Sequence, residues 1–390
     1  MLNIPFSPWP SFTQEEADAV SRVLLSSKVN YWTGTECREF EKEFATWCGV
    51  EHAIALANGT LALDLALQVL GVGPGDEVVV TPRTFIASVS CVVMAGATPV
   101  FAEVHANSQN ITSDSIRAVL TPRTKAVICV HLAGWPCDMD PIMALAAEKG
   151  LYVIEDCAQA HGATYKGRSV GSIGHIGAWS FCQDKIMTTG GEGGMVTTND
   201  YEFWKKMWSY KDHGKSWEAV YERTHNPGFR WLHDSFGTNW RMMEMQAVIG
   251  RIQLQRMPEW TIQRRHNANA IWKTANQLHG LRVPVIPDHI GHAAYKCYVF
   301  VEPDQLKVGW NRDRIMAEIN QCGIPCYSGS CSEVYLEKAF DNTEWRPAKR
   351  HLIAKQLGET SLMFLVHPTL TENDIHKTCH VLEIVMHNAV

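Results

Sequence analysis

Residues 180–194 read SFCQDKIMTTGGEGG, which sets a single lysine, Lys185, after Ser180 and ahead of Gly190, Gly191, Gly193 and Gly194. A lysine here has three chemistries open to it: clamping a phosphate, carrying a solvated charge, or attacking a carbonyl carbon through its amine. A nucleotide-binding P-loop places its lysine after the glycines and before a Ser or Thr, so the order here excludes that clamp. A lone lysine is usually a solvated surface charge. An amine nucleophile needs small-residue, partly dry surroundings. The segment around Lys185 is largely small and apolar, and its glycines let the backbone pass close to a bound group.

Two other stretches narrow the choice. Asn58-Gly59-Thr60 precedes a predicted helix, where free backbone N–H groups, the positive end of the helix dipole and a hydroxyl suit a phosphate. Taken alone, the same residues read better as a plain helix cap with a turn glycine. Asp156 follows the apolar run at 151–155 in IEDCAQAHGA, with Gln159 three residues on. A carboxylate at the end of such a strand is costly without a positive partner, unless it simply caps the next helix. Pyridoxal phosphate requires an acidic residue at its pyridinium nitrogen. A phosphate site, an acidic strand end and a lysine in this chain order together favour a pyridoxal phosphate enzyme, with Lys185 as the Schiff-base residue.

The elements that must position these residues follow from periodicity. Apolar runs at 52–57, 77–81, 99–104, 125–131 and 151–155 predict strands, several of them Val/Ile-rich on both faces as in a parallel sheet. Helical spacing lies between them at 60–70, 85–95, 113–120 and 141–149, so the fold class is α/β with a mostly parallel sheet. A strand at 195–198, a helix at 202–211 and a helix at 242–257, ending before Pro258, continue the pattern. Residues 212–239 are rich in Gly, His, Trp and Asn with little periodicity, as functional or interface loops are. The 390 residues exceed one core and predict a large domain at 1–257, with an N-terminal arm, and a smaller C-terminal α/β domain at 258–390.

With 46% hydrophobic and 19% charged residues and a net charge of −6, the composition is that of a globular protein without a basic face. This argues against nucleic acid or an anionic membrane as partner and for a small-molecule ligand. The start, MLNIPFSPWPSFTQEE, has neither the basic nor the apolar region of a secretory signal, so the expected location is the cytoplasm. Twelve scattered cysteines suit reduced thiols. The cluster Cys322, Cys326 and Cys331 lacks a zinc-knuckle spacing, and no metal site is expected.

The segments TPRTFIASVSCVVMAGATPVFAEV, VIEDCAQAHGATYKGRSVGSIGHIGAWSF, KIMTTGGEGGMVTTND and GTNWRMMEMQAVIGRIQL resemble the DegT/DnrJ/StrS-type sugar aminotransferases, a fold-type I pyridoxal phosphate family. The resemblance covers most of residues 5–265 and implies Lys185 as the covalent attachment point and Asp156 as the pyridinium partner. It further implies Gln159 at the ring face or its phenolic oxygen, Phe85 stacked on the opposite face, and Gly59, Thr60 and Ser180 around the phosphate. Asn239 of GTNWR would reach the phosphate of a neighbouring subunit, implying a homodimer with shared active sites, and Arg241 is a weaker substrate candidate. Departures are Cys182, where many relatives carry His, and the doubled Gly190-Gly191. Relatives that dehydrate replace the lysine with His, so Lys185 implies transamination.

By resemblance, glutamate is the amino donor and a keto or aldehyde sugar the acceptor, in amino-sugar and lipopolysaccharide biosynthesis. The acceptor is a nucleotide-linked keto-hexose or the free sugar acid 8-oxo-3-deoxy-manno-octulosonate, which would give 8-amino-3,8-dideoxy-manno-octulosonate. Arg230 and His233, with Trp217, Arg223, His225 and Trp231, are candidates for binding an anionic sugar. Interface packing accounts for these residues equally well. The reading from a different class is a regulatory protein that binds pyridoxal phosphate without turnover.

Overall fold

The computed structural model describes residues 6–224 and 231–390. Helices α1 (Gln14–Leu25) and α2 (Glu36–Cys48) lead into β1 (His52–Leu56), α3 (Gly59–Val69), β2 (Glu77–Val80), α4 (Ala87–Met94) and β3 (Thr98–Phe101). The alternation continues through α5 (Ser113–Arg117), β4 (Thr124–Val130), α6 (Met139–Lys149) and β5 (Tyr152–Asp156). Every residue of β2 is buried, the condition of a strand covered by helices on both faces. Next come the short β6 (Thr164–Tyr165) and β7 (Arg168–Ser169), then β8 (Ile176–Ser180), β9 (Gly194–Thr198), α7 (Tyr201–Lys211) and α8 (Trp217–Tyr221).

The seven-stranded sheet has the order β1-β9-β8-β5-β4-β2-β3. Strand β5 pairs in parallel with β4 and β8, whereas β9 runs antiparallel between β8 and β1. The strands expected between residues 52 and 156 all form, with ends displaced by a few residues. No strand is predicted over residues 176–180, yet β8 lies there. Its IGAWS sequence lacks an apolar run because neighbours crowd it: a Cβ on Gly177 would stand 2.4 Å from Thr197 Oγ1 and 2.6 Å from Gly171 Cα.

Downstream, α9 (Glu244–Ala275) is one 32-residue helix containing Pro258. The predicted stop at residue 257 is therefore corrected. An interior proline removes one hydrogen bond and costs on the order of 3 kcal/mol. Burial offsets this, since Ala247, Leu254, Met257, Ala268 and Ile271 are all in the core. The chain closes with β10 (Leu281–Arg282), β11 (Ile290–Gly291), β12 (Cys297–Val301), α10 (Arg312–Gln321), β13 (Cys326–Tyr327), α11 (Leu352–Thr360), β14 (Ser361–Phe364) and α12 (Glu372–Ala389).

A four-stranded antiparallel sheet, β10-β12-β14-β13, forms this smaller part, while β11 joins β6 and β7. We propose the division at 257/258 as the domain boundary; it falls inside α9, and the separate core of Val299, Ile319, Leu362 and Leu382 supports it. No helix among the described residues is long and apolar enough to cross a membrane.

Candidate active site

The carboxyl ends of β1, β2, β5 and β8 open onto a cleft of about 990 Å³, the position where open α/β sheets bind ligands. At the end of β1, Asn58 caps α3, its Oδ1 accepting the Leu61 N–H at 3.0 Å. The N–H groups of Gly59 and Thr60 begin the helix and have no intrahelical acceptor. Gly59 presses on the end of β8: a Cβ there would lie 2.4 Å from Ser180 Cβ. Gly194 closes the same corner, where a Cβ would meet the Asn58 carbonyl oxygen at 2.3 Å. Three chain segments thus leave a cradle of N–H groups and hydroxyls at a helix N-terminus, which fits a phosphate.

Asp156 is the last residue of β5 and is 6% exposed. Its Oδ2 accepts from Ser88 Oγ at 2.7 Å and its Oδ1 from the Ala158 N–H at 3.1 Å. Burial pushes its carboxyl above the usual range, against the opposing pull of those hydrogen bonds. Among the described residues no Lys or Arg forms an ion pair with it, so a ligand cation is what this carboxylate lacks. Gln159 Oε1 is occupied by the Ala133 N–H at 3.0 Å, which leaves its amide hydrogens for a ligand acceptor. Phe85, 68% exposed although apolar, lines the same cleft and offers a flat face.

Lys185 projects from the loop between β8 and β9. Its Nζ lies 3.1 Å from Asp184 Oδ1 and 5.6 Å from the centre of the Tyr295 ring. Burial alone would raise the Asp184 carboxyl, but Lys185 and the hydrogen bond from Tyr295 hold it below the usual range. These residues fit pyridoxal phosphate: a phosphate cradle, an unpaired buried carboxylate, an exposed aromatic face and an amine border one cleft.

Of the residues expected from sequence, Gly59, Thr60, Phe85, Asp156, Gln159, Ser180 and Lys185 line this cleft. Asn239 does not line it; it is exposed and bridges Asp212 through main chain. Arg241 Nη1 is held by buried Asp212 at 2.7 Å, and His233 is exposed and bridged to Lys215. Arg230 and His225 lie outside the described residues. Ser88 is not among the residues expected from sequence, although its spacing from Thr84 is a helical signal. The far wall, Tyr295, Lys296, Cys331 and Glu337, is not among them either, because it arrives from distant chain with no local motif.

The one cluster of potential metal ligands among the described residues is His131, Glu155 and Cys157. The Glu155 carboxylate there accepts from His131 Nε2 at 2.9 Å and from the N–H groups of Gly171, Ile173 and Gly174. It acts as a buried anchor for that turn. All twelve cysteines are free thiols, and Cys322, Cys326 and Cys331 differ in burial.

Comparison with known proteins decides the family. The DegT/DnrJ/EryC1/StrS aminotransferase family matches residues 10–383. The chain belongs to this family. Like its relatives, this DegT/DnrJ/EryC1/StrS protein is a pyridoxal-phosphate-dependent aminotransferase of fold type I. It superimposes on the X-ray structure of an aminotransferase from Psychrobacter cryohalolentis with a TM-score of 0.97, at 67% identity over 98% of this chain and 99% of that one. It is 37% identical to GDP-perosamine synthase of Caulobacter vibrioides, covering 89% of each chain. It is 38% identical to UDP-N-acetyl-3-dehydro-alpha-D-glucosamine 3-aminotransferase of Acidithiobacillus ferrooxidans, covering 92% of this chain and 91% of that one. A turnover-free regulatory role is therefore set aside.

Proposed function

We propose that this aminotransferase moves an amino group from glutamate to the carbonyl carbon of a keto or aldehyde sugar, in the making of amino sugars for surface polysaccharide. The observation that carries the reading is the pairing, across one cleft, of the Lys185 amine with the buried, cation-free Asp156. In this reading Lys185 is the covalent attachment point and Asp156 meets the pyridinium nitrogen. The Gly59 and Thr60 N–H groups and the Ser180 hydroxyl hold the phosphate, Phe85 covers one ring face and Gln159 the other. Bound there, pyridoxal phosphate supplies an aldehyde carbon for amino-group exchange and a ring that takes up electron density. The chain's own contribution is to favour the ionised form of Asp156 through the Ser88 hydrogen bond, against the effect of burial, to fix the phosphate end, and to offer the Lys185 amine as a proton carrier.

The preferred acceptor is a nucleotide-linked keto-hexose, in line with the nucleotide-sugar names of the two curated relatives. The free acid 8-oxo-3-deoxy-manno-octulosonate is the second acceptor, favoured by Lys296 on the cleft wall as a partner for its carboxylate. A homodimer with shared sites is part of the proposal, supported by Asn239 standing exposed outside its own cleft. Lys185→Ala should abolish turnover and the borohydride-sensitive visible absorbance of bound cofactor; retention of both would sink the reading. Offering the glutamate-treated enzyme a panel of nucleotide-linked and free keto sugars then identifies the acceptor by which one restores the starting spectrum.

A further inference from the structure

Asp184 and Tyr295 form a station beside Lys185 that no motif assigned. Tyr295 Oη donates to Asp184 Oδ2 at 2.6 Å, while Asp184 Oδ1 and Oδ2 stand 3.1 and 3.3 Å from Lys185 Nζ. Tyr295 is 8% exposed, and its main chain is held by its N–H, which donates to the Ala133 carbonyl at 3.0 Å. Ala133 in turn gives its own N–H to Gln159 Oε1, and the adjacent Gly134 carbonyl accepts the Ala293 N–H at 2.8 Å. A continuous chain of contacts therefore links Gln159 to the Lys185 amine. The backbone of Lys185 is pinned from behind: Trp9 Nε1 donates to its carbonyl oxygen at 2.8 Å. The Trp9 ring lies over the buried Arg264 guanidinium at 4.8 Å and stacks on His367. With the main chain held, the movement left to Lys185 is that of its side chain.

We propose that Asp184, oriented by Tyr295, is a catalytic residue that receives and holds the Lys185 amine whenever it is not covalently engaged. This rests on the reading of Lys185 as the attachment point. The other charged or titratable groups around the amine are Asp156 on β5, Cys182 and Glu192 on its own loop, Lys296 beside Tyr295, and His161 and Arg264 behind it. Asp184 is the carboxylate in direct contact with Nζ. An amine held against a carboxylate must leave that contact before its nitrogen can reach an aldehyde carbon. The station therefore slows capture of free pyridoxal phosphate while serving proton transfer during turnover.

The test is the rate at which apoprotein captures pyridoxal phosphate at neutral pH, followed by visible absorbance, beside kcat of the loaded enzyme. Asp184→Asn should capture about 3-fold faster, the scale of a partly exposed ion pair, while its kcat falls by at least that factor. Tyr295→Phe should move both readings the same way by less, and Asp184→Glu should restore both in part. A purely structural role would slow capture and turnover together, and that result, or an unchanged capture rate, overturns the proposal. Lys185→Ala separates the two ideas: cofactor still fixed covalently to that variant after borohydride reduction refutes the attachment point, whatever Asp184 does.

Discussion

At Gly59 a single methyl group would collide with both Cα and Cβ of Ser180, at 2.9 and 2.4 Å. Because the near atoms are backbone and a short side chain, neither can swing away. Gly59→Ala should weaken pyridoxal phosphate binding by at least about 10-fold, roughly 1.4 kcal/mol, with circular dichroism unchanged. Titration of apoprotein with cofactor checks this. Ser88 acts through Asp156 instead: its hydroxyl is one of two donors to a buried carboxylate. Hydrogen bonds to charged groups are worth about 1.5–3 kcal/mol, so Ser88→Ala should also loosen the cofactor, by about 10-fold or more. Normal binding by that variant would remove Ser88 from the machinery.

Among the elements, α9 has a sequence that conflicts with its form. Pro258 lacks the N–H that a helix interior uses, and its ring crowds the preceding turn. The helix persists because one side of it is buried along its length. That side includes Gly250, where a Cβ would stand 2.6 Å from the Phe40 ring of α2, and Gln253, which donates to Glu16 of α1 at 2.8 Å. Pro258→Ala should therefore stabilise the protein by about 1–3 kcal/mol, raising the thermal unfolding midpoint by a few degrees. A lowered midpoint would show that the surrounding packing is shaped to the proline ring.

On the scale of the whole molecule, three buried histidines contribute to the response to acid. Burial, the first cause in each case, pushes His161 and His292 down from 6.5 to about 3 and His367 to about 4. The unfolded chain binds these protons first, so the stability they allow is complete above pH 6.5 and is lost as pH falls below it. Each contributes a slope of up to about 1.4 kcal/mol per pH unit between its unfolded and folded values. Urea unfolding across pH 7 to 4 should show this loss, and His161→Phe should flatten it; a slope unchanged in that variant would contradict the assignment.

The parallel strands, the cradle at Gly59 and Thr60, the acidic strand end at Asp156 and the nucleophile candidate Lys185 were all readable from the chain. Each belongs to a strand end or turn whose residue types reflect a local requirement: continuous burial, a free helix N-terminus, or close backbone approach. Strand β8, the passage of α9 through Pro258, the Ser88 support and the wall carrying Tyr295 were not. Their causes lie in residues far away in sequence, such as Thr197 against Gly177, Phe40 against Gly250 and Ala133 holding Tyr295. By itself the sequence determined which side chains could do the chemistry, because residue type and chain order carry that information. Only the tertiary structure decided what surrounds them, because burial and a hydrogen-bond partner are properties of neighbours that the chain brings in from elsewhere.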